Sequence, residues 1–77
     1  MSHTPHELTE VFPEQAERIQ ELRIANAHFA KLSDQYHALN REIHRGETDV
    51  EPMDDMHLEE LKKQRLALLD EITDMLA

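Results

Sequence analysis

Between residues 19 and 43 the apolar side chains fall at Ile19, Leu22, Ala25, Phe29, Leu32, Tyr36, Leu39 and Ile43, three or four apart at every step. That spacing is the helical period and lies close to a heptad, so this stretch predicts an amphipathic helix that must bury one stripe. One irregularity interrupts it. Asn26, Phe29 and Leu32 are separated by three and three, which marks either a residue missing from the heptad or a break with Asn26 as a new cap. A continuous helix with a local bend is the expectation.

The flanking signals divide the rest of the chain. Thr4-Pro5-His6-Glu7 reads as a helix start, with Thr4 as cap, Pro5 at the first helical position and Glu7 closing a capping box. Pro13 ends that short helix, because its ring would clash with the carbonyl of Thr9 and its nitrogen donates no hydrogen bond. Phe12, preceding a proline, is expected to be extended, and a second helix begins at Pro13 with Glu14 against its dipole. Gly46 is the chain's single glycine and a natural stop. Pro52 bars helix through the connection 47–53, and Asp54 or Asp55 then caps a last helix. Its apolar set is Met56, Leu58, Leu61, Leu66, Leu68, Leu69, Ile72, Met75 and Leu76, with Arg65 on the seam.

The expected fold is therefore all-α: one domain over residues 1–77, with helices at 5–11, 13–46 and 54–76. The two long helices form an antiparallel, coiled-coil-like hairpin. In that register Leu39 sits near Leu61, Leu32 near Leu68 and Phe29 near Ile72. A continuous first arm would span about 50 Å and the second about 35 Å, so the first overhangs by about ten residues. The overhang carries Leu8, Val11, Phe12 and Ile19. Either the short amino-terminal helix folds back over the open end or another chain covers it. A hairpin of this size is marginal alone, and the chain has no cysteine for a disulfide or thiolate metal site, so self-association is expected. Leu8, Val11, Phe12, Ile19 and Leu22 are the candidate contacts for another copy or an unidentified protein partner.

Seventeen acids against eight bases give a net charge of −9 with neutral histidines. Such a chain repels nucleic acid and anionic membranes and is steered towards basic partners. The longest unbroken apolar run, Leu66 to Leu69, is too short to cross a bilayer, and nothing resembles a signal peptide, which makes the cytoplasm the expected setting. Protonation of the six histidines would move the charge towards about −3 and favour association in acid.

The segment HFAKLSDQYHALNREIHRGE, residues 28–47, is the one place where side chains with chemistry crowd together. His37 and His44 share a helix face, but Arg41 stands between them, His28 points elsewhere, and no carboxylate converges as zinc requires. Tyr36 fills a core position, and its hydroxyl needs a partner. The sequence contains no nucleophile–base pair, glycine-rich phosphate loop or HExxH motif, so no enzyme, cofactor, small-molecule substrate or metal is expected. The histidines read as solvated. An alternative function is a small regulator acting on RNA or an RNA-processing enzyme, through a basic belt of Arg41, Arg45, Lys62 and Lys63. The belt lacks aromatic interleaving, and acids stand at helical spacing from its cations, such as Glu59 before Lys63.

These residues also carry a resemblance. His28-Phe29, Leu32, Tyr36, Leu39, Ile43, Arg45 and Glu47, followed by Leu61-Lys62-Lys63, Arg65-Leu66 and Asp70-Glu71-Ile72, resemble the YdcH-like family of small, largely uncharacterised bacterial proteins. The likeness runs from about Phe12-Pro13-Glu14 to the carboxyl end. It implies a cytoplasmic helical hairpin of coiled-coil character and brings no catalytic residue or cofactor. Leu69 stands where the family often has lysine, which adds apolar surface and implies a stronger self-association face. The expected function is a non-enzymatic helical module that self-associates and binds a protein.

Overall fold

The computed structural model describes residues 7–48 and 54–77. Those residues form helices and no strand: α1 (Leu8–Val11), a 3-10 turn Pro13–Gln15, α2 (Ala16–Ala25), α3 (Ala27–Glu47) and α4 (Asp55–Leu76). The expected start at Thr4-Pro5 and the connection beyond Thr48 lie outside the described residues, but Glu7, expected inside a helix over 5–11, is extended (φ −63°, ψ 151°) and precedes α1 as its N-cap. Phe12, at φ −125° and ψ 66°, has left the helical region, and Pro13 opens the next turn.

The helix expected over 13–46 is broken. Asn26 adopts an extended conformation (φ −133°, ψ 109°) between α2 and α3. Its own N–H closes α2 on the Leu22 carbonyl at 2.8 Å, and its Oδ1 accepts the first-turn N–H of Phe29 at 3.0 Å. Asparagine suits this role because its short amide satisfies a donor that the helix start leaves orphaned, a contribution of about 1 kcal/mol. The irregularity at residues 26–29 is thus a break with a cap, not a bend.

The break removes the length mismatch. α3 has 21 residues and α4 has 22, so at 1.5 Å per residue the arms measure about 32 and 33 Å. The longest dimension of the molecule, 37 Å, leaves no room for a 50 Å rod. Instead the surplus turns back. Leu8 and Ile19 are buried with Phe29, Leu32, Tyr36, Ile72 and Leu76, and Phe12, Leu22, Leu68, Leu69 and Met75 pack around them. A second cluster near the connection holds Leu39, Ile43 and Leu61, flanked by Leu58 and Leu68. Early residues of α3 thus meet late residues of α4 and late residues meet early ones, the antiparallel pairing that the expected register requires.

Two smaller expectations also change. Gly46 is buried inside α3 and does not stop it. The helix runs on to Glu47 and closes at Thr48, whose N–H donates to His44 O at 3.0 Å and whose hydroxyl reaches the same carbonyl at 3.0 Å. Asp54 holds the cap position of α4 and its carbonyl accepts from Leu58 N–H at 2.9 Å, but its side chain makes no cap bond.

Candidate functional site

The five residues expected to face a partner are mostly interior. Leu8 is 1% exposed and Ile19 5%, and Phe12 and Leu22 lie half-buried against the same cluster, which leaves Val11, at 37%, as the exposed member. The overhang does not stand bare, because the chain covers it with its own amino-terminal strap, residues 7–25. Leu69 packs against that cluster too and is not a free apolar addition.

Polar contacts fix the strap. Glu7 Oε2 pairs with His37 Nδ1 at 2.5 Å, so His37 is not the solvated histidine expected. Arg23 reaches across the break to the hydroxyl of Ser33 and to Asp34 Oδ1, both at 3.2 Å. The second contact is an exposed ion pair and contributes little, of order 0–1 kcal/mol. Tyr36 sits beneath the strap with the His37 ring edge-on to it, centroids 6.0 Å apart. Burial pushes the Tyr36 phenol above its usual value; the Arg65 guanidinium opposes that rise and the Glu7 carboxylate adds to it.

Arg65 answers the puzzle of a cation on an apolar seam. Its Nη1 donates to Asn40 Oδ1 at 2.9 Å, and Asn40 is 1% exposed. An asparagine on α3 thus supplies the acceptor that lets an arginine stem cross the α3–α4 interface while its head stays partly wet. Among the described residues no buried side-chain nitrogen or oxygen lacks a partner. Among the same residues no group of three His, Asp or Glu converges as a metal site would require.

Two cations of the expected belt, Arg41 and Lys63, face away from each other. Arg41 lies two residues from both Leu39 and Ile43, and Lys63 lies two residues from Leu61. Each therefore points about 200° from a buried neighbour, outward from its own helix and away from the other. Both are exposed on opposite backs of the α3–α4 pair. Lys62 is engaged by Glu47 at 3.4 Å and by Glu59 at 3.9 Å, so the acid that neutralises it comes from across the pair as well as from its own helix.

On the side of the α3–α4 pair away from the strap lies an open groove. Gln35, Ala38, Leu39 and Glu42 line it from α3, and Gln64, Ala67 and Leu68 from α4. Leu39 and Leu68 supply its partly covered apolar edges, and Ala38 and Ala67 are exposed and short, so no long side chain stands over them. Glu60 and Glu71 fall four before and seven after Gln64, on the same stripe of α4. Two further apolar side chains of α4 are exposed against expectation, Met56 at 81% and Leu66 at 59%. Spacing alone hid the groove, because alanine and glutamine at helical intervals look like an ordinary wet face.

A family model described as a protein of unknown function (DUF465) matches residues 29–76, more than half of the chain. The chain belongs to this family. The DUF465 span opens at Phe29, the residue whose N–H the Asn26 cap receives, and ends at Leu76; it comprises the α3–α4 pair and leaves the strap outside. No curated protein and no solved structure matches the chain. Among the described residues no helix is long and apolar enough to cross a membrane.

Proposed function

We propose that this DUF465 chain is a non-enzymatic helical interaction module that self-associates and docks an amphipathic helix of a protein partner in the groove between α3 and α4. The partner helix carries apolar anchors on one face and lysine or arginine on its flanks. The observation that carries the reading is the groove itself, lined by Ala38, Leu39, Ala67 and Leu68 together with Gln35, Gln64 and Glu42. A shallow, largely apolar groove along two packed helices suits a third helix, whose side chains at i, i+3, i+4 and i+7 would seat in it. Charge selects the flanks: the whole chain carries −9, Glu42 lines the groove, and Glu60 and Glu71 share the α4 stripe of Gln64 by helical spacing.

The narrower placement among YdcH-like proteins is supported by position. The residues that carry that resemblance from Phe29 to Ile72 all fall within the matched span. An RNA-directed role has no comparable support, since Arg41 and Lys63 stand on opposite backs of the pair.

The test is titration of a designed helical peptide, leucine on one face and lysine on its flanks, into the wild-type chain and into Ala38→Arg and Ala67→Arg. Both positions are exposed, and arginine is a good helix former, so the fold is kept. The expected result is saturable binding by the wild type, weakened at least about tenfold by either substitution, which crowds the groove and repels the flanks. Absence of binding by the wild type, or equal binding by the variants, overturns the groove reading.

A further inference from the structure

We infer that the amino-terminal strap exchanges between two copies of this chain about Asn26, so that α2 and α3 fuse into one helix and each copy's strap covers the Phe29–Tyr36–Ile72 core of the other. This deepens the self-association half of the proposed function and uses none of the groove residues.

The strap joins the α3–α4 pair through a single non-helical residue, Asn26, between the end of α2 at Ala25 and the start of α3 at Ala27. Short hinges invite exchange of this kind, because the same contacts can form in cis or in trans. Nothing in the local sequence bars a straight helix. Ala25 and Ala27 are the best helix formers, and neither proline nor glycine lies between Ala16 and Arg45.

Straightening trades one set of bonds for another. It gives up the Asn26 Oδ1 bond to the Phe29 N–H. It gains the helical bonds from Ala27 N–H to Arg23 O, from His28 N–H to Ile24 O and from Phe29 N–H to Ala25 O, which continue the ladder that Asn26 N–H to Leu22 O already begins. In the straight form Leu22, Ala25, Phe29, Leu32 and Tyr36 fall on one stripe at spacings of three and four. The three-and-four spacing of apolar side chains from Ile19 to Ile43 is therefore satisfied by the exchanged state, and the cap by the closed one.

A straight α2–α3 helix cannot keep the strap contacts within one chain. Arg23 and Ser33 would lie ten residues apart on one helix, about 15 Å along its axis, instead of bonded at 3.2 Å. Phe29, Tyr36 and Ile72, now 0%, 1% and 0% exposed, would lose their cover. The surface that fits them is a second copy's Leu8, Phe12, Ile19 and Leu22, with Glu7 on His37 and Arg23 on Ser33 and Asp34 re-formed across a two-fold axis. The occupant is thus specified: the strap already packed there, supplied by another chain.

Two substitutions at the hinge push the equilibrium in opposite directions. Asn26→Ala removes the cap and favours the straight helix. Ala27→Pro suits the first position of α3, where Asn26 before it is already extended, but in a straight helix its ring would clash with the Arg23 carbonyl. Sedimentation velocity on the full chain over a concentration series up to about 1 mM reads the outcome. The expected result is a concentration-dependent dimer whose dissociation constant falls about a hundredfold in Asn26→Ala, about tenfold for each of its hinges. Ala27→Pro is expected to stay monomeric with unchanged helical content. In a dimer of mixed isotope labels, nuclear Overhauser contacts from Ile19 methyls to the Phe29 ring are expected between chains.

The inference is overturned if Ala27→Pro dimerises as the wild type does, if Asn26→Ala dimerises no better, or if the Ile19–Phe29 contacts in the dimer stay within one chain. Peptide titration into monomeric Ala27→Pro keeps the two proposals apart. Its groove is intact, so binding there stands or falls independently of exchange.

Discussion

Leu8→Ala puts the largest single load on the strap. Leu8 is 1% exposed and belongs to the cluster that includes Phe29, Tyr36 and Ile72, although it lies on a four-residue helix with little stability of its own. Removing the buried branch loses about 0.8 kcal/mol per carbon in transfer, and the unfilled space adds a cavity term. The site lies at one end of the molecule and can partly collapse, which places the cost near the low end of the leucine range, about 2–3 kcal/mol. A domain of this length is stable by roughly 4–12 kcal/mol, so the loss is a large share of the total.

Because the strap is hinged at Asn26, the loss is expected to appear first as local opening. Amide exchange along α2 should accelerate about 30- to 150-fold, while Leu39 to Ile43 in the second cluster change less. Urea unfolding followed by circular dichroism gives the global part. Val11→Ala is the control, since Val11 is exposed and its truncation should cost within about 0.5 kcal/mol. If Leu8→Ala costs no more than Val11→Ala by both measurements, the strap does not pack as described.

The seam gives two further tests. Asn40→Ala takes the acceptor from Arg65 Nη1 and should cost about 1–2 kcal/mol in urea, whereas Asn40→Leu with Arg65→Met together should recover most of that loss. Recovery would fail if the pair also positioned the helices. Tyr36 is the only tyrosine, and there is no tryptophan, so its ultraviolet absorbance titrates one group. Burial favours its neutral form in the fold, so its contribution to stability is full below the usual value of 10.0 and is lost as pH rises through the raised native value. The phenolate absorbance should therefore appear later in the folded chain than in urea, and Tyr36→Phe should flatten the alkaline decline in stability. Coincident titrations in the two states would contradict the burial of the ring.

Much of the α3–α4 pairing was legible in the sequence because a three-and-four spacing over many residues leaves few ways to bury a stripe. The registers at Leu39–Leu61 and Phe29–Ile72 follow from it. What spacing cannot decide is a competition between two local solutions of similar energy. At Asn26 the periodic stripe argues for one helix, while the side-chain cap and the burial of Leu8 and Ile19 argue for two, and tertiary packing chose the second. Leu8, Phe12, Ile19 and Leu22 read as unsatisfied only while the arm was straight; once it turns back they pack within the chain. Asn40 was passed over because a buried asparagine is recognisable only once its arginine is known. The groove at Ala38 and Ala67 was invisible because small and polar residues announce it by what they leave empty.

The most direct check on the fold-back of the strap is a nuclear Overhauser spectrum of the dilute, monomeric chain with labelled leucine and isoleucine methyls. Cross-peaks from the Leu8 and Ile19 methyls to the Phe29 and Tyr36 rings, with ring-current shifts on those methyls, are the expected result. Random-coil methyl shifts for both residues, with Phe29 and Tyr36 touching only α4, would contradict it.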